Sequence, residues 1–394
     1  MPNPAALQQL IDQVRAAVQA RTPLQLRGGG SKDFVGSIQP AQLLDTRSYQ
    51  GILDYAPSEL VVTVAAGTSL QDLETTLAAQ GQCLAFEPPH FTWSRTGATE
   101  GTTPNPAGGS AATIGGMVAS GLAGPARATV GSVRDYVLGL RMVNGLGEHL
   151  TFGGQVMKNV AGYDVSRLMV GAMGTLGLIT EVSLKVLPIA PAEATLVFAL
   201  DQATALEQLH RWGGQPLPLN ASCWVHDTTA PGGPQDFLFV RLRGAAAAVQ
   251  AACKTMLADA PGQQMDNVQA ASDWVLCRDQ QLPFFTPPAP DMALWRLSVA
   301  PTAAVLALPW PQLVEWHGGL RWLWAPLEAG PQLQEAARAA HGNATVFVAA
   351  GAGNTPARCQ FDIQSPAQEA IQRRLKAAFD PHGLFNPGRL SAAW

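Results

Sequence analysis

Apolar residues recur at helical spacing from the start of the chain. In residues 5–20 (AALQQLIDQVRAAVQA) Leu7, Leu10, Ile11, Val14 and Val18 share one face, which predicts an amphipathic helix. The period then shortens. PLQLR predicts a strand that runs into Gly28-Gly29-Gly30, and AQLLDT and ELVVTVAAG, with its β-branched run Val61–Val64, predict two more. Thr68–Gln80 reads as a helix with a Thr or Ser cap, stopped at Gly81. Thr92–Gly109, rich in Gly, Thr, Pro and Ser, reads as a surface insertion. Val133–Phe152 alternates like a hairpin, with DYVLGLRMV and EHLTF as strands and Asn144-Gly145 as the turn. Asp164–Val170 predicts a short helix, and Leu178–Leu187 a strand closed by Pro188.

The texture changes near Ala194. ATLVFAL, SCWVH, DFLFVRLRG, WRLSV, LRWLW and ATVFVAA predict strands, and Gln202–Trp212, Ala245–Leu257 and Leu333–Ala340 predict helices. This order suggests βαβ-type units of an α+β domain. A last helix, Ala367–Phe379, leads into DPHGLFNPGRL. The expected organisation is α+β in two parts: residues 1–190, to which 350–394 return, and a second domain over 191–349.

Composition narrows the function. With 394 residues, 47% of them hydrophobic, the chain can bury more than one core. A net charge of −4, only 14% charged residues and no basic patch argue against nucleic acid. No apolar run approaches the ~20 residues of a membrane span, and Met1–Gln9 lacks signal-peptide features. The expected location is the cytoplasm, with any membrane association made through partners. Five cysteines (Cys83, Cys223, Cys253, Cys277, Cys359) are scattered, with no CxxC pair, haem motif or iron–sulfur cluster spacing, and read as buried thiols. Redox chemistry in this chain would therefore pass its electrons to another molecule. No metal-ligand spacing is present. Five of the ten tryptophans lie in Trp295–Trp324 and read as core, with a partner interface as the alternative.

Three glycine loops carry the candidate chemistry. Arg27-Gly28-Gly29-Gly30-Ser31-Lys32 follows a strand; its glycines let several N–H groups converge on one anion, with the Ser31 hydroxyl and Lys32 amine adding contacts. In Thr113-Ile114-Gly115-Gly116-Met117-Val118-Ala119-Ser120-Gly121 a helix is expected just after two glycines, so that free N–H groups face a pyrophosphate. Gly171–Gly177 leads through Leu178 and Ile179 into a strand, which suggests close approach to a flat ligand. Neither the first nor the third loop has the G-x-G-x-x-G helix opening and following acid of a dinucleotide fold, so NAD is excluded.

Together the loops resemble the FAD-binding domain of the vanillyl-alcohol-oxidase (PCMH-type) family. DYVLGLRMVNGLGEHLTFGG sits between the second and third loops as in that family. QVMKNVAGYDVSRLMVGAMGTLGLITEVSLKVLP and FDPHGLFNPGRL are similar to its 2-hydroxy-acid dehydrogenase branch. The likeness covers about residues 20–190 and 375–394. GGMVASGLAGPARATVGSVRDYVLG and FGGQVMKNVAGYDVSRLMVG match most closely the second FAD-binding subunits of glycolate oxidases. The resemblance implies an α+β FAD domain of two subdomains with an α+β cap. It also implies FAD held by Arg27, Gly28, Gly29, Gly30, Ser31, Lys32, Thr113, Ile114, Gly115, Gly116, Ser120, Gly121, Gly177, Ile179 and Asn386, with a larger catalytic flavin subunit and an iron–sulfur subunit as partners and a small 2-hydroxy acid such as glycolate as substrate. Covalent flavin in this fold usually uses a first-loop histidine or a second-loop cysteine. Ser31 follows the glycines here and Cys83 is far from the second loop, so FAD is expected to be non-covalent.

No catalytic residue is assigned. Catalytic members of the branch carry His-x-Gly-Asp-Gly-Asn-x-His; the nearest stretch, Ala349–Pro356, keeps glycines and Asn354 but lacks both histidines and the aspartate. His90 and His382 read as loop and turn residues, and Lys158, Asn159, Tyr163, Asp164 and Arg167 as a structural polar run. Three readings stay open: an active flavin subunit of a glycolate-type dehydrogenase, a flavin-binding structural subunit of that complex, and a stand-alone FAD oxidase of a sugar or lactone.

Overall fold

The computed structural model describes residues 2–37, 39–91, 112–154, 164–230, 232–350, 361 and 365–391. The Thr92–Gly109 insertion, Lys158, Asn159, Tyr163, Cys359 and the stretch Gly351–Pro356 lie outside them. The chain divides into two compact units: Met1–Leu122 with Ser132–Pro188 and Ala352–Trp394, and Ala123–Gly131 with Ile189–Gly351. The segment Ala123–Gly131, placed by the sequence reading inside the first domain, packs with the second unit.

In the first unit, α1 (Pro4–Ala20) begins where Asn3 caps the Ala5 amide and Pro4 presets the first turn. Leu10, Ile11, Val14 and Ala17 bury its apolar face against Leu24, Leu44, Tyr49 and Phe385. β1 (Leu24–Arg27) pairs in parallel with β2 (Gln42–Asp45). Next come β3 (Ile52–Ala56), β4 (Val61–Ala65), α2 (Leu70–Ala78) and the short β5 (Gln82–Cys83). Ser69 caps α2, and Leu70, Leu73 and Leu77 are fully buried. α3 (Ile114–Ser120), α4 (Arg127–Val130; second unit) and α5 (Val133–Tyr136) lead to β6 (Val137–Val143) and β7 (His149–Gly153). α6 (Val165–Leu168), β8 (Leu178–Lys185) and β9 (Leu187–Pro188) follow.

A five-stranded antiparallel sheet has the order β3-β4-β8-β6-β7. Its central strand β8 is buried on both faces, so its polar residues are matched. Tyr49 Oη donates to Glu181 Oε1 (2.8 Å), Thr180 meets His149 (3.0 Å), and Ser183 meets Thr63 (2.9 Å). The β6–β7 hairpin differs from the sequence expectation. Asp135 and Tyr136 are helical, and the turn spans Asn144–Glu148, because Asn144 Oδ1 accepts from both Leu146 N and Glu148 N. Gly145 serves long-range packing: its N–H donates to Phe379 O (2.8 Å), and a Cβ there would meet Asp380 at 2.6 Å.

The second unit is one eight-stranded sheet with every ladder antiparallel. It is built from β10 (Ala192–Phe198), β11 (Leu219–Asp227), β12 (Gln235–Gly244), β13 (Gly262–Gln264), β14 (Met292–Ser298), β15 (Gln312–Glu315), β16 (Leu320–Pro326) and β17 (Asn343–Val348). The order is β13-β10-β12-β11-β15-β16-β14-β17. Helices α7 (Gln202–Gly213) and α8 (Ala246–Asp259) cover Leu196, Trp224, Leu238 and Val240; α10 (Gly330–Ala339) covers Trp295, Leu297 and Leu323. A helix absent from the sequence reading, α9 (Asn267–Arg278), donates Trp274 Nε1 to Thr195 Oγ1 (2.9 Å). It escapes pattern reading because Val268 and Val275 are exposed while Trp274 and Cys277 are buried. Trp295, Trp316, Trp322 and Trp324 are buried, each indole N–H bonded.

The last helix, α11 (Pro366–Phe379), ends on a buried ion pair. Lys376 Nζ donates to Asp380 Oδ2 (2.7 Å), Thr175 O (2.7 Å) and Phe385 O (2.9 Å). Asp380 also accepts from the amides of Leu384 and Phe385. Removing the lysine strands a buried carboxylate. Lys376→Met is therefore expected to destabilise the first unit by about 3–5 kcal/mol in denaturant melts, with part of the loss recovered by adding Asp380→Asn. In the second unit, burial pushes His317 down to about 4. A depressed pKa gives stability that is present above the unfolded value near 6.5 and lost as pH falls through 4. Between those pH values the wild type should lose on the order of 3 kcal/mol relative to His317→Asn; equal acid limbs would refute this.

Candidate functional site

The triple glycine at the end of β1 is shaped by close approaches. A Cβ on Gly28 would lie 2.2 Å from Thr113 Oγ1, and one on Gly30 (φ +80°) would lie 2.2 Å from the Arg27 guanidinium. Only glycine lets the loop fold against the start of α3 and under its own arginine. Among the described residues the amides of Gly28, Gly29, Gly30 and Ser31 make no hydrogen bond. Successive unengaged amides in a turn form an anion-binding concavity.

Charge reinforces it. Lys32 is buried, with Nζ 3.1 Å from Ser31 Oγ and 5.5 Å from the centre of the Phe91 ring. Arg27 Nε donates to Asp33 Oδ2 (2.6 Å). Arg389 donates an N–H to Lys32 O (2.9 Å), while its Nε is buried without a partner. Burial lowers the Arg389 pKa against the opposing pull of Asp33. Among the described residues Arg27, Lys32 and Arg389 line one pocket together with one carboxylate, Asp33, a positive environment of the kind that favours a pyrophosphate. The pocket, of about 80 Å3, is also lined by Leu26, Thr113, Gly116, Ala119, Ser120, Met173 and Asn386.

The second loop is placed differently from the sequence expectation. Gly115 and Gly116 lie inside the first turn of α3, and its amides are engaged: Ile114 N with Thr68 O (2.9 Å), Gly115 N with Ala66 O (2.7 Å), Gly116 N with Thr113 Oγ1 (3.3 Å). The amides left open to a ligand among the described residues are therefore those of the first loop. Gly115 is small because a Cβ would meet that of Ala66 at 2.8 Å, and Ile114 is fully buried. Gly121 ends α3 in the left-handed conformation.

The third loop also packs on protein. A Cβ on Gly174 would meet Asn386 Nδ2 at 2.7 Å, and one on Gly177 would meet Met142 Cε at 2.3 Å; Ile179 is buried in β8 opposite Met142. The structure thus brings Arg27, Gly28, Gly29, Gly30, Ser31, Lys32, Thr113, Gly116, Ser120 and Asn386 to one pocket. Ile114, Gly115, Gly121, Gly177 and Ile179 do not line it. Asn386 (φ +41°) clamps the pocket: Oδ1 accepts from Leu26 N (2.8 Å) and Nδ2 donates to Met173 O (2.7 Å). Asp33, Ala119, Met173 and Arg389 also line the pocket without having been assigned to it by sequence; Ala119 and Met173 stand inside the second and third glycine loops and Arg389 inside FDPHGLFNPGRL, while Asp33 carries no signal.

The remaining candidates lie elsewhere. His90 is buried with Nε2 2.9 Å from Glu74 Oε2, and His382 is exposed. Asp164 caps α6 through Arg167 N (3.1 Å). Cys83 sits in β5, outside the pocket.

Comparison with known proteins gives a consistent picture. A family model described as a FAD binding domain matches residues 3–99 and 93–153. The chain is 41% identical over 385 residues to glycolate oxidase subunit GlcE of Escherichia coli (strain K12), covering 98% of this chain and 97% of that one. It is 30% identical over 191 residues to glycolate oxidase subunit GlcD of Bacillus subtilis (strain 168), covering 48% and 37%. It is also 26% identical over 444 residues to a D-2-hydroxyglutarate dehydrogenase of Xanthomonas citri pv. viticola, covering 99% and 89%. The fold resembles that of alkyldihydroxyacetonephosphate synthase, with TM-score 0.64 at 16% identity over 96% of this chain and 75% of that one.

Arg389→Gln is expected to weaken FAD binding by about 10–100-fold, the loss of one charge-assisted contact, with the melting temperature little changed; flavin fluorescence titration reads it. Gly115→Val should instead lower stability, through the clash with Ala66.

Proposed function

The chain belongs to the GlcE family of glycolate oxidase subunits and binds FAD, and from that premise we propose that it is the FAD-bearing second subunit of a multi-subunit glycolate (2-hydroxy-acid) dehydrogenase. In this reading glycolate becomes glyoxylate and electrons leave through an iron–sulfur partner subunit, beside a larger catalytic flavin subunit. The observation that carries it is the end-to-end match to a glycolate oxidase subunit. The first-loop pocket supports it, with an anion cradle of the sign of charge that FAD requires.

Bound FAD would accept hydride from the α-carbon of the hydroxy acid. The chain's own residues hold and orient it. Gly28–Ser31 present amides to the pyrophosphate, Lys32, Arg27 and Arg389 neutralise it, and Asn386 fixes the loop they stand on. Among the described residues no histidine or cysteine lines the pocket, which is in keeping with non-covalent FAD. Glycines 115, 121 and 177 and the buried Ile114 and Ile179 pack against other parts of the first unit and are not assigned contacts with FAD. Among the described residues no helix is long and apolar enough to cross a membrane; a cytoplasmic complex, attached to membranes through partners, fits this.

One observation favours a second reading, in which the subunit binds flavin while its partner does all the oxidation: Ala349–Pro356 lacks the two histidines and the aspartate of catalytic members. A stand-alone oxidase of a sugar or lactone would purify alone, whereas the complex would co-purify.

The purified chain should absorb near ~450 nm, and acid precipitation should release the colour to the supernatant. Anaerobic glycolate should then bleach the flavin, alone or with the partner subunits present. Flavin retained in the pellet would overturn non-covalent binding. Bleaching confined to the partner's flavin would establish the structural-subunit reading.

A further inference from the structure

The second unit carries a cavity of its own, of about 350 Å3, between α9 and the sheet. It forms because α9 stands on the face of the sheet opposite α7 and α8. Along β11, Trp224 joins the core beneath those two helices, so Cys223 and Val225 on either side of it point the other way. Phe239 of β12 pairs with Cys223 and shares its face. Two bonds pin α9 there: Trp274 Nε1 donates to Thr195 Oγ1 (2.9 Å) and Cys277 Sγ to Glu315 Oε1 (3.5 Å). One turn before Trp274, Ala270 lines the cavity with only a methyl group and leaves the space open. Val225, Phe239, Met265, Leu276, Leu282 and Phe284 also line it, and each is only half-buried. A cavity of this volume, with mostly apolar walls and a few polar groups, has the form of a small-molecule site.

The polar lining decides which molecule fits. Thr195 is taken up by Trp274, and Cys277 is held as a neutral thiol. Its hydrogen bond with Cys223, its burial and the charge of Glu315 all push its pKa well above the usual thiol value. Among the described residues no lysine or arginine lines the cavity. Arg241, stacked 4.8 Å from the centre of the Trp274 ring, donates Nε to Asn220 Oδ1 (2.7 Å) and is not part of the lining. His226 Nδ1 lies 2.6 Å from Asp236, so any charge the ring gains is matched. Two carboxylates remain in the lining, Asp227 and Asp273. Asp227 Oδ1 accepts from Thr229 N and Thr229 Oγ1 (both 2.7 Å), and Asp273 Oδ1 accepts from Gln269 Nε2 (2.8 Å). Neither has a cationic partner among the described residues. Apolar walls with unpaired carboxylates repel an organic acid and attract an ammonium, which makes charge-assisted hydrogen bonds to such oxygens.

We propose that this cavity binds a small organic amine, with its apolar body against Phe239, Leu276 and Phe284 and its ammonium held by Asp227 and Asp273. The charge of this ligand is opposite to that of a 2-hydroxy acid, and its binding does not rest on the dehydrogenase reading.

Isothermal titration calorimetry of the full-length, FAD-loaded chain compares 2-phenylethylamine with 2-phenylethanol, its neutral isostere, and phenylacetate, an anion of similar size. One saturable site is expected for the amine, with the alcohol at least about tenfold weaker and phenylacetate without measurable binding. The double substitution Asp227→Asn with Asp273→Asn keeps an oxygen for the Thr229 and Gln269 donors. It should bring the amine down to the affinity of the alcohol and leave the alcohol, the melting temperature and the FAD content unchanged. Val225→Trp, which adds volume to the cavity from a half-buried position, should weaken amine and alcohol alike by at least about tenfold. Equal affinity for amine and phenylacetate, full amine affinity in either variant, or no saturable binding of the amine would overturn the proposal. Amine binding by the isolated chain that vanishes in the co-purified complex would also overturn it, and would assign the cavity to a contact between subunits.

Discussion

The first unit depends on one desolvated charge pair. Lys376 and Asp380 are almost entirely inside the protein, where ion pairing alone barely offsets lost hydration. The pair is tolerated because the lysine donates to three oxygens and the carboxylate also receives two backbone amides. That network makes the chain reverse after α11 and places Phe385 in the core beneath α1. One residue on, Asn386 bridges β1 and the Met173 loop, and three further on Arg389 reaches the back of Lys32. The cation at the edge of the anion cradle therefore depends on a lysine at the far side of the turn.

Local chemistry was legible; reciprocal long-range chemistry was not. Ser69 acts as the cap expected at Thr68 or Ser69, because a short polar side chain before an apolar run has few alternatives. The first glycine loop could be read as an anion cradle because its function is carried by consecutive backbone groups. The second and third loops show the limit. The second loop, with Gly115, suggests free N–H groups facing a pyrophosphate, and the third, with Gly174 and Gly177, close approach to a flat ligand, yet the atoms that require the smallness of these glycines are those of Ala66, Asn386 and Met142. A glycine announces a close approach without naming what approaches. Likewise the amides at the start of α3 look free in sequence, but the carbonyls of Ala66 and Thr68, between β4 and α2, and the Thr113 hydroxyl supply their acceptors. Lys376 gave no signal, since a lysine in a surface-patterned helix has the same letter whether it faces water or Asp380.

The tryptophans of the second unit were correctly read as core, with one qualification. Trp295, Trp322 and Trp324 fill the sheet and satisfy their N–H groups on nearby strands or loops. Trp316 is buried too, but its backbone is left-handed and its face carries two arginines. Packing explains its burial, not the strained turn that aims it. The turn's anchor, Gly124, belongs to a nine-residue segment, Ala123–Gly131, that leaves the first unit and returns.

The route of the chain sets the order in which the protein can mature. The walls of the anion cradle come from residues 26–33, from α3, and from Asn386 and Arg389. During synthesis the first two are made early, but the clamp and third cation follow only after the whole second unit has been translated. Domains fold as they emerge, so the inserted sheet can be complete while the cradle is still open. The pocket is then completed last, by a tail whose Asn386 and Arg389 join the loop from the far end of the chain.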